Sequence, residues 1–230
     1  MSKIVKYIIS KTYKPLLAKY LSGTRTCFYK NIILEVPSEV FHPDFFHSTR
    51  LLLRHIEGLQ IKQRSFLELG AGSGLIAMYA AQKGAYVTAT DINPVAIEYL
   101  YKNKTGNNVD MHIIHSDLFK KIPKEAFDII AINPPYYKKD PVTNADYAWY
   151  CGRNGEYFKK LFPALGGYIH RKSKVLMSLC EGCDIEMVKA IAGENNFSLN
   201  LLYQKKSLVE RNYIFGIGVN EHIIKPTILS

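Results

Sequence analysis

The chain has 230 residues and a formal net charge of +10, with 47% hydrophobic and 22% charged residues. A chain of this length can build one large hydrophobic core, and this balance of residues excludes wholesale disorder and fibrous repeats. The longest apolar stretches are strand-sized and the N-terminus lacks the apolar core of a signal peptide, so we expect a cytoplasmic protein without a membrane span. The four cysteines are too few and too scattered for a disulfide framework, which fits a reducing compartment.

The excess of basic residues bears on the choice of partner. Thirty lysines and arginines stand against twenty acidic residues, which is enough to attract nucleic acid, a ribosome or an acidic protein. Many of the lysines fall in "MSKIVKYIISKTYKPLLAKY" and "KNKTGNN", where they also suit a solvated helix face and a polar loop. Charge alone therefore does not choose among these partners.

The first fifty residues predict a small N-terminal extension. Apolar residues recur at helical spacing through residues 3–21 and are interrupted by Pro15, which predicts one or two amphipathic helices. The segment "RTCFYKNIILEV" predicts a short hairpin, and "FHPDFFHSTRLLLRHI" predicts a proline break followed by a helix. We therefore divide the chain into an N-terminal helical segment with a β-hairpin, residues 1–50, and a main domain, residues 51–230.

Strand and helix patterns alternate from residue 65 onward. The strand patterns are short and apolar, and they are "SFLELG", "AYVTATDI", "MHIIHSD", "FDIIAIN" and "KVLMSLCEG". Such alternation is typical of a parallel sheet with helices on both faces. The last segment, "SLNLLYQKKSLVERNYIFGIGV", offers two strands with no helix between them. We therefore predict an α/β fold of Rossmann-like type, with seven mostly parallel strands that end in a C-terminal antiparallel hairpin.

A glycine-rich turn follows the first strand of this series. In "FLELGAGSGL", Gly70, Gly72 and Gly74 lie between a strand and a helix, where missing side chains let a ligand approach the backbone and the helix N-terminus. Asp91 ends the next strand, the position at which an acid binds a ribose diol in dinucleotide folds. Together these residues predict a nucleotide-like ligand.

Two details argue against a dinucleotide. The glycines alternate as G-x-G-x-G, and Glu68 stands just ahead of them, where a carboxylate repels a pyrophosphate but suits a positively charged ligand. With an acid followed by G-x-G-x-G, the chain resembles the class I S-adenosylmethionine-dependent methyltransferases. S-adenosylmethionine carries a sulfonium, an amino group, a ribose and an adenine, but no phosphate.

This resemblance implies how the methyl donor is bound. The residues that it assigns are Glu68, Gly70, Ala71 and Gly72 for the methionine part, Asp91 for the ribose, and Ile92, Asp117 and Leu118 for the adenine. Asp117, in "HSDLF", also suits a helix N-cap, so its role is open between capping and contact with the adenine amine.

The segment "AINPPYYKK" ends the strand "FDIIAI" with two prolines, which cannot extend a sheet ladder and which stiffen the turn. A second substrate is expected here, across the switch point from the donor. The side-chain oxygen of Asn133 and the carbonyl of Pro134 can accept hydrogen bonds from a planar nitrogen and aim its lone pair, which makes orientation the main catalytic effect. The ring of Tyr136 can stack on an amide or a base.

The quartet N-P-P-Y resembles that of amino-methyltransferases acting on glutamine amides or on adenine and guanine amines. The resemblance makes Asn133, Pro134 and Tyr136 the catalytic residues, and Asn133 also borders the donor. Residues 51–230 are then the class I methyltransferase catalytic domain.

Three further segments narrow the resemblance. The hairpin ahead of "VFHPDFFHSTRLLLRHI", the G-x-x-G segment in "GRNGEYFKKLFPAL" and the terminal strand pair resemble the release-factor glutamine methyltransferases and their small-domain relatives, over residues 25–219. One departure is that "HPDFFHST" replaces the P-R-P-E-T of the glutamine enzymes and is closer to small-domain enzymes that methylate ribosomal RNA guanines or other targets. The acceptor therefore stays open between a protein glutamine and an RNA or DNA nucleobase.

Two other interpretations remain. A methyltransferase fold that has lost activity would serve as a basic binding module, but the intact Glu68, Asp91 and N-P-P-Y argue against that loss. Cys180 and Cys183 have the spacing of half a zinc site, which no second pair or close histidine completes, so we expect no metal.

Overall fold

The structure is a computed structural model that describes residues 23–43, 47–207 and 210–220. The helices predicted within residues 3–21, together with their lysines, lie outside the described residues. Within the ranges given, no helix is both long enough and apolar enough to cross a membrane.

A seven-stranded sheet forms the centre of the molecule. Its strands are β3 (Ser65–Leu69), β4 (Tyr86–Asp91), β5 (His112–His115), β6 (Phe127–Ile132), β7 (Ile169–Cys180), β8 (Phe197–Lys206) and β9 (Arg211–Val219). They are ordered β5-β4-β3-β6-β7-β9-β8. The first five strands in this order, β5, β4, β3, β6 and β7, are parallel to one another. Strand β9 runs antiparallel to both β7 and β8. This arrangement confirms the fold class predicted from the sequence.

In the part of the chain that the structure describes, five α-helices cover the two faces of the sheet. They are α1 (His47–Glu57), α2 (Leu75–Gln82), α3 (Pro94–Gly106), α4 (Glu156–Leu165) and α5 (Ile185–Glu194). The buried side chains of α1, α2 and α3 belong to one apolar cluster, and those of α4 and α5 belong to another. Because helices lie on both faces, the central strands are buried on both sides, which explains their nearly continuous apolar runs.

A two-stranded hairpin, β1 (Arg25–Tyr29) and β2 (Ile32–Val36), precedes α1. Its inward side chains join the apolar cluster of α1, α2 and α3. The amide side chains of Asn103 and Asn107, on and just after α3, hydrogen-bond the backbone of β2 at Glu35 and Ile33. These contacts fix the hairpin against α3, and the division of the chain at residue 50 stays a prediction.

The direction in which the chain winds across the sheet changes between β3 and β6. From β3 the chain proceeds to β4 and β5 on one side, and from β6 it proceeds to β7 on the other. The register aligns the ends of β3, β4 and β6, so that Gly70, Asp91 and Asn133 lie side by side at the same edge. Ligands of open α/β sheets bind at such a switch point, beyond the carboxyl ends of the strands.

Candidate active site

A cavity of about 240 Å³ opens beyond these strand ends. Every residue that the sequence assigns to the site lines this cavity. These residues are Glu68, Gly70, Ala71, Gly72, Asp91, Ile92, Asp117, Leu118, Asn133, Pro134 and Tyr136. The structure therefore brings the predicted donor and acceptor residues around one space, while their individual roles stay predictions.

The glycine turn after β3 exposes its backbone to the cavity. Gly70 has a φ of +74°, and a Cβ placed on it would meet no atom within 4 Å, so the space above it is open to a ligand. Gly74, with a φ of +81°, is tightly enclosed, because a Cβ there would stand 2.5 Å from Cδ2 of Leu100. The turn thus needs glycine at one position to open the cavity and at another to pack against α3.

The carboxylate of Asp91 accepts two backbone hydrogen bonds, one from the glycine turn and one from the segment after β4. Oδ2 accepts the N–H of Gly72 at 2.8 Å, and Oδ1 accepts the N–H of Asn93 at 2.8 Å. Desolvation raises the pKa of Asp91, although the N–H groups of Asn93 and Gly72 act to lower it. Each oxygen keeps a second lone pair, so the carboxylate can still accept hydrogen bonds from ribose hydroxyls.

Glu68 places a second carboxylate at the end of β3, where it is only 4% exposed. Its Oε2 accepts the N–H of Ala77 in the first turn of α2 at 2.7 Å. Burial raises the pKa of Glu68 to about 8, and the neighbouring Asp91 adds to this effect. A cation bound in the cavity would favour the ionised form of both carboxyl groups, whereas a phosphate would be repelled by it, so the residues fit S-adenosylmethionine, which has a sulfonium and an amino group.

The raised pKa of Glu68 predicts a pH-dependent affinity for the donor. Between about pH 4.5 and 8, Glu68 keeps a proton in the ligand-free folded protein that the unfolded chain has lost, so its contribution to folding stability falls as pH rises through this window. A cationic ligand favours the ionised carboxylate. The dissociation constant of S-adenosylmethionine should therefore fall as pH rises toward 8, by up to about tenfold per pH unit.

Calorimetric titration with S-adenosylmethionine over this pH range measures the effect. Glu68→Gln cannot ionise, and its affinity for the donor should depend much less on pH. An equally steep dependence in this variant would show that another group carries the effect.

The residues predicted to contact the adenine follow β5. Asp117 forms ion pairs with Lys120 and with Lys160 of α4, the latter at 3.4 Å. Burial opposes ionisation of Asp117, but the hydrogen bond from Lys120 and the charge of Lys160 keep its pKa below the usual value. A turn rather than a helix follows Asp117, so the alternative in which it caps a helix is wrong. Leu118 has a φ of +50°, in the left-handed region that leucine seldom adopts.

The side-chain amide of Asn133, just after β6, is held at both ends. Nδ2 donates to Oγ1 of Thr49, in the first turn of α1, at 2.9 Å. Oδ1 accepts from Oγ of Ser178, on β7, at 2.6 Å. Both hydroxyl residues are buried. Oδ1 has a second lone pair, so it can also accept an N–H from an acceptor group in the cavity.

The two tyrosines of N-P-P-Y differ in exposure. Tyr136 lines the cavity but is only 6% exposed, and burial raises the pKa of its hydroxyl. Tyr137 is 37% exposed and meets the ring of Tyr136 edge-on, with ring centroids 4.9 Å apart. Tyr136 is thus a well-packed wall of the cavity, and its stacking on an acceptor stays a prediction.

The cysteines considered as half a zinc site, Cys180 and Cys183, are buried free thiols. Among the residues described by the structure, no group of three or more His, Cys, Asp and Glu side chains could hold a metal ion. The two thiols pack in the apolar cluster of α4 and α5.

One wall of the cavity comes from residues 138–150, here called the 138–150 loop. The N–H groups of Tyr136 and Tyr137 donate to the carbonyl of Trp149 at 3.2 and 3.0 Å, which closes the loop back on the motif. The loop residues that line the cavity are Asp140, Pro141, Asn144, Tyr147, Ala148 and Tyr150. Phe41 also lines the cavity, and its ring lies 5.0 Å from that of Trp149. The segment ahead of α1 and the 138–150 loop therefore meet beside the cavity.

Comparison with known proteins agrees with this fold. Residues 33–149, half of the chain, match the family model described as the methyltransferase small domain. A protein from Methanocaldococcus jannaschii, named as a protein N5-glutamine methyltransferase, is 37% identical over 108 residues, which are 46% of this chain and 52% of that protein. A protein from a Flavobacteriaceae bacterium, named as a tRNA1(Val) adenine-N6 methyltransferase, is 37% identical over 82 residues, which are 34% of this chain and 36% of that protein. The matches thus span about half or less of these curated relatives.

A solved structure shows the same fold. The E. cuniculi Mtq2–Trm112 complex, responsible for methylation of the eRF1 translation termination factor, aligns with a TM-score of 0.60 at 22% identity, over 79% of this chain and 99% of that one. The fold and the cavity define the class of S-adenosylmethionine-dependent methyltransferases, as the sequence predicts. Within that class, this chain belongs to the methyltransferase small-domain family.

Proposed function

We propose that this chain transfers a methyl group from S-adenosylmethionine to the side-chain amide nitrogen of a protein glutamine, as the release-factor enzymes do. The observation that carries the proposal is the fixed amide of Asn133, which shares one cavity with the carboxylates of Glu68 and Asp91. The name of the M. jannaschii relative supports glutamine as the acceptor.

The catalytic difficulty is that an amide nitrogen is a poor nucleophile, because its lone pair is delocalised. Oδ1 of Asn133 and the carbonyl of Pro134 accept its two N–H groups and turn the lone pair toward the methyl group, so orientation supplies the main rate effect. When bound, S-adenosylmethionine supplies an electrophilic methyl group, whose carbon–sulfur bond breaks with the electron pair left on sulfur as the nitrogen–carbon bond forms. The acceptor nitrogen then releases one proton to water, and this step needs no strong general base.

The acceptor can be identified with the purified chain, radiolabelled S-adenosylmethionine and a lysate of cells in which the gene for this chain is deleted. After the reaction, one portion is treated with protease and another with ribonuclease. We expect protease to release the label and ribonuclease to leave it in place, with mass spectrometry locating the methyl group on a glutamine amide. The glutamine proposal would be overturned if ribonuclease released the label and protease did not.

A binding module without activity is the rival from another class. Calorimetry with S-adenosylmethionine separates the two, because the enzyme must bind its donor. No detectable binding at roughly millimolar ligand, which corresponds to about −4 kcal/mol, would overturn the enzyme proposal.

A second candidate acceptor is the exocyclic amine of an RNA or DNA base. The net charge of +10 and the similarity to a protein named as a tRNA adenine methyltransferase favour this candidate. An exocyclic amine is planar and carries two N–H groups, so Asn133 and Pro134 would orient it in the same way as a glutamine amide.

If the acceptor is RNA, the lysines near the N-terminus should bind its phosphates. We expect replacement of five of them by Gln to weaken RNA binding. The slope of the logarithm of the binding constant against the logarithm of the salt concentration should also become shallower, by about 0.7 to 0.9 for each phosphate that is no longer neutralised. The five are Lys3, Lys6, Lys11, Lys14 and Lys19. Fluorescence anisotropy with labelled RNA over a range of salt concentrations measures both quantities.

A matched control replaces five exposed lysines elsewhere on the molecule by Gln. These are Lys62, Lys102, Lys189, Lys205 and Lys206. Equal loss of affinity and slope in both variants would mean that the N-terminal lysines contribute only their overall charge.

A further inference from the structure

Ser178 is a polar residue in an apolar setting. Residues 175–180, the carboxyl half of β7, are all buried, and Ser178 itself is 0% exposed. Its neighbours along the strand are Met177 and Leu179, both also 0% exposed. A hydroxyl without access to water needs a partner within the protein, and here the partner is Oδ1 of Asn133.

We infer that Ser178 is a positioning residue for the methyl transfer, whose hydroxyl fixes which end of the Asn133 amide faces the acceptor nitrogen. The inference rests on the proposed function, and it adds a residue outside N-P-P-Y to those that orient the acceptor nitrogen. Ser178 does not itself line the cavity, so it would act only through Asn133.

The two hydrogen-bond lengths indicate which end of the amide is the oxygen. The contact with Ser178 is 2.6 Å, within the range of O–H···O bonds, and the contact with Thr49 is 2.9 Å, the usual length of an N–H···O bond. If the amide were reversed, the contact with Ser178 would be an N–H···O bond of 2.6 Å, which is shorter than such bonds normally are. Ser178 therefore donates to Oδ1, and Nδ2 donates to Thr49.

The orientation matters because the two ends of an amide have opposite hydrogen-bonding character. Oδ1 can accept a hydrogen bond from the N–H of a planar acceptor nitrogen. If the Nδ2 group stood in its place, two hydrogen-bond donors would face each other and no hydrogen bond could form. The position of Ser178 is set by the sheet, since Met177 pairs with Ile132 on β6 and Ser178 pairs with Ile214 on β9. A central strand thus holds the hydroxyl beside Asn133.

The test compares Ser178→Ala with a matched variant on the same strand. Ser173→Ala is the control, because Ser173 also donates a 2.6 Å hydrogen bond, to the carbonyl of Phe127, at the end of β7 away from the cavity. We expect Ser178→Ala to bind S-adenosylmethionine with unchanged affinity and to methylate the lysate acceptor about tenfold more slowly or worse. Ser173→Ala should match the wild type in both measurements, and Ser178→Thr, which keeps the hydroxyl, should recover most of the rate.

A spectroscopic measurement tests the same contact without any acceptor. The side-chain NH₂ signals of Asn133 can be identified in NMR spectra by their absence from Asn133→Ala. We expect these signals to shift and broaden in Ser178→Ala and to stay unchanged in Ser173→Ala. Unchanged Asn133 signals in Ser178→Ala would overturn the inference.

The outcomes separate this inference from the proposed function. If Asn133→Ala keeps the wild-type rate, the orienting role in the proposed function fails and the inference fails with it. If Asn133→Ala is slow but Ser178→Ala is as fast as the wild type, the inference alone fails. The double variant should be no slower than Asn133→Ala, and rate reductions that multiply would show that Ser178 acts apart from Asn133 and would overturn the inference.

Discussion

Replacing Asn133 by alanine is expected to slow methyl transfer about a hundredfold or more, because loss of one preorganised hydrogen-bonding group at a reacting centre has effects of this size. Binding of S-adenosylmethionine should change little, since the carboxyl groups predicted to bind it, those of Glu68 and Asp91, stand at the ends of β3 and β4. Single-turnover transfer to the identified acceptor gives the rate, and calorimetry gives the donor affinity.

The control for this experiment is Asn195→Ala. The Asn195 side chain donates a 2.8 Å hydrogen bond to the carbonyl of Ile191 at the end of α5, and it does not line the cavity. Its removal should leave the rate of transfer unchanged. A folded Asn133→Ala protein with wild-type turnover would reject the role assigned to N-P-P-Y.

Asp91→Ala should give the opposite pattern, with donor affinity reduced. A hydrogen bond to a charged group contributes about 1.5 to 3 kcal/mol, so each hydrogen bond to the ribose that is removed raises the dissociation constant about ten- to a hundredfold. The variant also lacks the bond from the N–H of Gly72 to Oδ2, which holds the glycine turn in shape. Calorimetric titration with S-adenosylmethionine measures the combined effect.

Asp128→Ala is the matched control for Asp91→Ala. Asp128 also accepts a backbone N–H, that of Ser65 at 3.0 Å, but it lies near the start of β6, at the opposite end of the sheet from the cavity. Its removal should lower thermal stability without changing donor affinity. Unchanged donor affinity in a folded Asp91→Ala protein would remove Asp91 from the site.

The side of the cavity formed by Glu68, the glycine turn and Asp91 could be predicted from the sequence because its signals are local. Glu68, the glycines and the following helix lie within one short stretch of chain, and Asp91 ends the next strand. Strand, turn and helix patterns of this kind depend on neighbouring residues, so a linear pattern is enough to place them. The prolines after Asn133 mark the end of β6 in the same way.

The contacts that hold Asn133 could not be predicted, because they join distant parts of the chain. Thr49 is 84 positions from Asn133 and Ser178 is 45 positions away. A serine in an apolar strand has no local feature that names its partner, and only the order β6-β7 brings the two together. The cavity wall formed by the 138–150 loop was missed for a similar reason, since a polar loop pattern does not indicate where the loop folds back.

Trp149 is the single tryptophan of the chain, and its position gives the protein a built-in optical probe. The indole lies at the junction of the 138–150 loop and Phe41, with the two rings 5.0 Å apart. Tryptophan emission from this molecule therefore arises at one place, next to the cavity. Ligand entry that moves the loop against Phe41 is observable in unlabelled protein, in real time, as a change in that emission.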